Sequence, residues 1–391
     1  MQFALTDEQR ALQDAVRSYL RDRFGPRQVR ELYDGPDSDG VPADLWRSVG
    51  EQGWLAVLVP EEYDGIGLGV LDAAVIARAF GAGTVPGPWL GTVLLAEAVR
   101  LAGSDAQRQA LLPRLATGEV KGAVALLRNG SSPTPAGAPL EAGGGTLTGR
   151  LDLVEYAGVA DTLVVAATDG SLHLVDPHGP GVTVTPHEVL DRTTRLSAVV
   201  LDGAPAEQLV GSSPEVLQEL LDRAAVLVAN DLVGIARRAV AETVDYDKTR
   251  VQFGKPVGSF QAIKHELADL HIAVTMAEHA ATYAAYALDI DAEDKVLAVS
   301  IAKSKAADTA AWATSDMIQY HGGIGYTWEH DAHFYFKRAK RLQYAYGDAD
   351  QHRERIARLL LDGRGGVARP SGKTHGGSSG VQGTGVAAGA A

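Results

Sequence analysis

The segment PEVLQELLDRAAVLVANDLVGIARRAVAETVDYDKTR, Pro214 to Arg250, is largely apolar and has no proline after its first residue. It reads as one long helix. The pattern then breaks at FGKPVGSF, Phe253 to Phe260, and resumes at once as AIKHELADLHIAVTMAEHAATYAAYAL. A third helical stretch covers about Asp294 to Tyr320, and a last one ends near Leu361. Residues 213–362 therefore read as a C-terminal four-helix bundle.

Upstream the character differs. Residues 1–118 carry helical periodicity, punctuated by turn signals at Gly25-Pro26, Asp34-Gly35-Pro36, Asp64-Gly65 and Pro86-Gly87-Pro88. The first helix is expected to be capped near Thr6 or Asp7. Residues 119–212 hold short β-favouring runs, LTGRLDLV, DTLVVAA, SLHLV, GVTVTP and RLSAVVLD, separated by Gly, Pro and Asp. The expected fold is α+β and multidomain: an N-terminal helical domain, a middle β-barrel-like domain and the C-terminal bundle. Residues 363–391 contain ten glycines and no acid, and are expected to be a low-complexity tail outside the fold.

Charge narrows the function. Across 391 residues, 49 acids face 36 lysines and arginines, for a net charge of −13. That balance argues against a nucleic-acid partner, and any anionic ligand must be met by local basic groups. Without cysteine there is no disulfide, thiolate metal site or cysteine nucleophile. The N-terminus lacks the basic start and apolar core of a secretory signal, and no uncharged run reaches the ~18 residues of a membrane span. A cytoplasmic protein with no membrane partner is expected. His321, His330 and His333 cluster in sequence without carboxylates at a recognisable ligand spacing, so no metal is expected.

Two motifs then carry a resemblance. RVQFGKPVGSFQAIKHELADL at 250–270, together with QYHGGIGYTWEH at 319–330, resembles the acyl-CoA dehydrogenase family. The similarity runs in domain order over residues 1 to about 362 and is closest in the C-terminal half. It implies FAD, an acyl-CoA thioester substrate and α,β-dehydrogenation. It also implies an electron-transfer flavoprotein as acceptor, and a dimer or tetramer with room for a homologous second subunit. On that reading the break in the helix serves the cofactor. Arg250 offers a planar fork of donors to a pyrophosphate, Gly254, Pro256 and Gly258 let the backbone turn tightly, Phe253 gives a flat face and Gln261 an amide. In the family this loop reaches FAD held mainly by a neighbouring subunit, and Gln319, Gly322 and Gly323 approach the same cofactor. From Asp222 to Arg250 an unbroken helix spans roughly 42 Å, so its two ends serve different flavins, which implies an oligomer.

Elsewhere the sequence departs from the family pattern. The family's base is usually a glutamate just before a glycine near the last helix; YAYGDADQHRERIARLL at 344–360 puts Tyr346 there. A phenol of pKa ~10 is a poor proton acceptor near neutrality, though the Tyr346 N–H stays available to a thioester oxygen. Asp348 and Asp350 stand where neutral groups usually help to hold FAD, with Arg353 and Arg355 close enough in sequence to neutralise them. Some members carry the base early in the long helix before an arginine, which here points to Asp222 as base and Arg223 beside the substrate. Ser131 and Ser132, within ALLRNGSSPTPAG at 125–137, are expected to bond the flavin, and Val154-Glu155-Tyr156 replaces a run that usually lies against it. Two alternatives stay open: a catalytically reduced subunit of a heteromeric acyl-CoA dehydrogenase, and a flavin oxygenase or oxidase of the same fold.

Overall fold

The computed structural model describes residues 5–35, 39–127 and 140–361. Six helices open the chain: α1 (Asp7–Arg23), α2 (Pro26–Asp34), α3 (Ala43–Glu51), α4 (Val70–Ala82), α5 (Trp89–Ala102) and α6 (Asp105–Thr117). Thr6 caps α1 through a reciprocal pair: the Gln9 N–H donates to Thr6 Oγ1 at 3.2 Å and the Thr6 N–H to Gln9 Oε1 at 3.1 Å.

The middle region holds two four-stranded sheets. Its strands are β1 (Gly122–Ala125), β2 (Leu140–Gly143), β3 (Thr146–Glu155), β4 (Thr162–Ala166), β5 (Leu172–Val175), β6 (Val182–Pro186), β7 (Leu196–Pro205) and β8 (Glu207–Gln208). One sheet runs β1-β4-β5-β8 and the other β2-β3-β7-β6. Leu140, Leu151, Leu163 and Val199 fill the core between them with no exposed surface. All five runs read from sequence are strands. The short strands β1, β2 and β8 carry too few alternations to register as a pattern.

The C-terminal region is built on α7 (Pro214–Thr249), of 36 residues, capped by Ser213. A small hairpin, β9 (Val251–Gln252) and β10 (Lys255–Pro256), interrupts it before α8 (Gln261–Asp289), α9 (Lys295–Tyr320), α10 (Ala332–Leu342) and α11 (Ala349–Leu361). The last expected helix is therefore two, α10 and α11, separated by residues 343–348. That break falls where Tyr346 (φ 54°) and Gly347 (φ 100°) take left-handed backbone.

The N-terminal helices and the bundle share one core. Residues 224–229 of α7 are all buried, because α4 covers the side that other bundle helices leave open. α4 and α7 approach through glycine: a Cβ on Gly81 would overlap the Asp231 carbonyl, and one on Gly234 the Arg78 carbonyl. Asp289, at the end of α8, caps α4 by accepting from Val70 N–H at 2.6 Å and Leu71 N–H at 3.0 Å.

Candidate functional site

A cleft enclosing about 140 Å³ lies where α5, β1, β3 and the α10–α11 connection converge. The end of β3 shapes its wall. A register shift between Leu151 and Val154 marks a bulge, and Leu153 (φ 59°) and Tyr156 (φ 55°) are both left-handed there. The bulge turns Leu153 outward, leaving it 46% exposed on the cleft. The Tyr156 hydroxyl accepts from the Gly87 N–H at 2.7 Å and donates to the Thr193 carbonyl at 2.9 Å.

Beneath the cleft runs a buried ionic network. Arg341 donates to Glu155 at 2.5 Å and to Asp191 at 2.8 Å. Arg338 spans both Asp231 oxygens, at 3.1 and 2.5 Å, and reaches the Val85 carbonyl and the Thr193 hydroxyl. Burial raises the Asp191 carboxyl's pKa, but Arg341 and Arg338 more than offset it, leaving Asp191 below its ordinary value. In sequence these arginines sit in FKRAKRL, which reads as a solvated basic face. Their i, i+3 spacing was the one signal that both point the same way.

Tyr346 lines the cleft, and burial pushes its phenol far above the ordinary tyrosine range. Its N–H finds no acceptor among the described residues. The loop around it is clamped: His352 Nε2 lies 3.0 Å from the Tyr346 carbonyl, and Lys303 Nζ donates to the carbonyls of Gln343 at 3.1 Å and Gly347 at 2.7 Å. Lys303 has no exposed surface, and burial depresses its pKa to about 7. Within an alanine-rich helix it gave no sign of this role.

Asp222 and Arg223 are placed elsewhere. Neither is among the residues lining the cleft. Asp222 is buried and meets Arg355 through both oxygens, at 2.5 and 3.0 Å, while Gln218 donates to Oδ1 at 3.2 Å. Burial raises its pKa and Arg355 opposes the rise. Arg355 thus serves Asp222 rather than Asp348 or Asp350, because it faces back onto α7; Arg353 takes Asp350 at 2.8 Å. Arg223 bridges Glu97 at 2.9 Å and Glu219 at 2.7 Å. Ser131 and Ser132 lie outside the described residues.

The six other expected cofactor residues form a second, exposed surface. Phe253 (φ 53°) and Gly254 (φ 77°) make the tight turn between β9 and β10, a geometry matched to hairpin twist. Phe253 is 91% exposed, Arg250 and Gln261 are exposed, and the Arg250 guanidinium has no partner among the described residues. Lys255 Nζ sits 4.2 Å over the Phe260 ring. Gln319, Gly322 and Gly323 are also exposed, and a Cβ on Gly254, Gly322 or Gly323 would meet nothing. Tyr246 stacks on His321 at 4.4 Å, which joins the ends of α7 and α9 and so brings both motifs to one end of the bundle. From Asp231, which holds Arg338 in the network beneath the cleft, to Arg250 is roughly 29 Å along α7.

Comparison with known proteins places this architecture. Residues 6–119 match the acyl-CoA dehydrogenase N-terminal domain, and residues 215–361 match the C-terminal domain. An acyl-CoA dehydrogenase of Mycobacterium tuberculosis, IpdE2, is 35% identical over 334 residues, covering 85% of this chain and 91% of that one. The chain belongs to the acyl-CoA dehydrogenase family. Among solved family structures, the ChsE4–ChsE5 complex from Mycobacterium tuberculosis superposes with a TM-score of 0.84 at 28% identity, over 93% of this chain and 99% of that one. A variant of the Tcur3481–Tcur3483 steroid ACAD gives 0.83 at 29% identity, over 91% and 98%. The chain keeps the family's α+β architecture, and no described helix is long and apolar enough to cross a membrane. Among the described residues no three His, Asp or Glu side chains converge as a metal site.

The two surfaces differ in how well their chemistry suits the family's cofactor. The cleft is smaller than the roughly 300–1,000 Å³ usual for a small-molecule site, and Asp152 and Glu155 line it. The exposed end of the bundle presents a guanidinium unpaired among the described residues, an exposed aromatic ring, two amides and three glycines where a phosphate-bearing ligand could approach the backbone.

Proposed function

We propose that this chain is one subunit of a heteromeric, FAD-dependent acyl-CoA dehydrogenase. It completes a FAD site on a homologous partner that carries the missing glutamate. The observation that carries this reading is the separation just described: the exposed cofactor residues keep their types, while the chain's own cleft has Tyr346 at the base position and the acids Asp152 and Glu155 in its wall. The ChsE4–ChsE5 and Tcur3481–Tcur3483 structures support it, since each pairs two differently named chains.

Bound FAD supplies the hydride acceptor for α,β-dehydrogenation of an acyl-CoA thioester, with an electron-transfer flavoprotein as the next acceptor. In this chain Arg250 binds the pyrophosphate through its guanidinium fork, and Gln261 and Gln319 supply amide bonds. Phe253 covers the cofactor against water, and Gly322 and Gly323 leave the backbone open to it. Purified alone, the chain should be colourless. Co-expressed with a glutamate-bearing homologue, it should carry one flavin for each pair of chains and bleach with acyl-CoA. A full flavin complement in the chain alone would defeat the proposal.

One observation favours a second reading, in which the chain acts by itself with Asp222 as base, Arg223 and the Tyr346 N–H beside the substrate, and Ser131 and Ser132 on the flavin. Burial raises the Asp222 pKa, as proton acceptance requires. It also demands that Arg355 release the carboxylate. Acyl-CoA bleaching by the isolated chain, lost in Asp222→Asn, would establish it.

A further inference from the structure

Away from both surfaces, α1, the start of α2, the end of α4 and α10 enclose a cavity of about 370 Å³. That volume lies within the range of small-molecule sites. Leu20, Phe24 and Phe334 form an apolar wall, and Arg17, Arg21 and Arg238 stand around it. No aspartate or glutamate lines the cavity, although the chain as a whole carries −13. A concave, apolar-walled surface with one sign of charge concentrates the opposite ion.

The three arginines are not equivalent. Arg238 is paired with Glu242 at 2.6 Å, and Arg21 with Asp22 at 3.2 Å. Glu278, the nearest acid on α8, is taken by Arg78 and Arg237. Arg17 has neither a hydrogen bond nor an ion pair among the described residues. Its guanidinium is partly covered, and that desolvation with the nearby Arg237 lowers its pKa more than Asp14 and Glu278 raise it. Thr84, in the same wall, is a buried β-branched residue held at φ 47°, a conformation such residues rarely adopt and one that concentrates at ligand sites.

We propose that this cavity binds a small amphiphilic anion, a carboxylate or phosphate monoester on a medium-length aliphatic or single-ring body. The head group pairs with Arg17 at the mouth, and the body lies on Leu20, Phe24 and Phe334. The site is independent of the flavin surfaces and of whether the chain acts alone or with a partner.

Titration calorimetry on the full chain tests it with octanoate and octyl phosphate as probes, and octanol and inorganic phosphate as controls. Octanoate, octyl phosphate or both should bind with a dissociation constant at or below about 1 mM, and each control at least about tenfold more weakly. Whichever probe binds identifies the head group. Arg17→Ala should weaken binding about tenfold or more, and Arg17→Lys by less, because charge survives but the fork does not. Arg17 is exposed, so both variants should keep the parent melting temperature. Octanol binding as well as octanoate, affinity unchanged in Arg17→Ala, or no binding of either anion at about 10 mM would each overturn the proposal.

Discussion

Asp247 sits 1% exposed at the end of α7, and neither carboxylate oxygen has a hydrogen-bond partner among the described residues. Burial pushes its pKa up to about 6. The folded state therefore holds this proton more tightly than the unfolded chain, where the value is about 3.9. The resulting stabilisation is complete below about pH 4 and is lost as pH rises through 6. Asp247→Asn should remove that contribution: as pH rises from about 4 to about 6, the parent's melting temperature should fall relative to the variant's. Parallel curves for the two proteins would show that Asp247 is solvated. The Asp222 pKa is also raised by burial, but its partner Arg355 is in place. Arg355→Met should cost about 3–5 kcal/mol by stranding a buried carboxylate, measurable as a lower denaturation midpoint. Asp222→Leu combined with Arg355→Met should recover most of that loss, since removing both charges leaves neither one unpaired.

At the scale of elements, the hairpin and the α4–α7 crossing make contrasting demands. Phe253→Ala should leave melting unchanged, because the ring is 91% exposed, yet reduce flavin retained by the co-purified pair. Equal flavin content would remove the hairpin from the cofactor site. Gly234→Ala should destabilise by about 1–3 kcal/mol, since the new methyl meets the Arg78 backbone and not a movable side chain. The long helices and the five main strands were legible in sequence because each carries a full period of apolar residues. The hairpin read only as a break: two-residue strands have no period, and the Phe253-Gly254 turn is set by backbone angles. The two glycine-bearing motifs were legible as types of residue, but their shared exposure was not. The pairing of Asp222 with Arg355 joins positions far apart in the chain, and local pattern cannot reveal it. The Arg338–Arg341 network escaped notice for the same reason.

At the scale of the molecule, that network ties three regions together. Arg338 touches Val85 from the N-terminal helices, Thr193 from the β region and Asp231 from α7. Calorimetry should therefore record one cooperative transition, and Arg338→Met should move it downward as a whole. Separate transitions for the β region and the bundle would contradict this. From Asp231 to the hairpin α7 runs without a proline or a kink-prone pair, about five turns of uninterrupted helix. Its length is consequently a phase as well as a distance. Deleting one residue between Asp231 and Tyr246 would rotate the hairpin by about 100° about the helix axis while shifting it only about 1.5 Å. Point changes can accumulate in the cleft without disturbing Arg250 or Phe253, whereas a single-residue insertion or deletion in α7 would aim them at the wrong face of an assembly. Selection on such a subunit would tolerate drift in its chemistry long before it tolerated a change in the residue count of this helix.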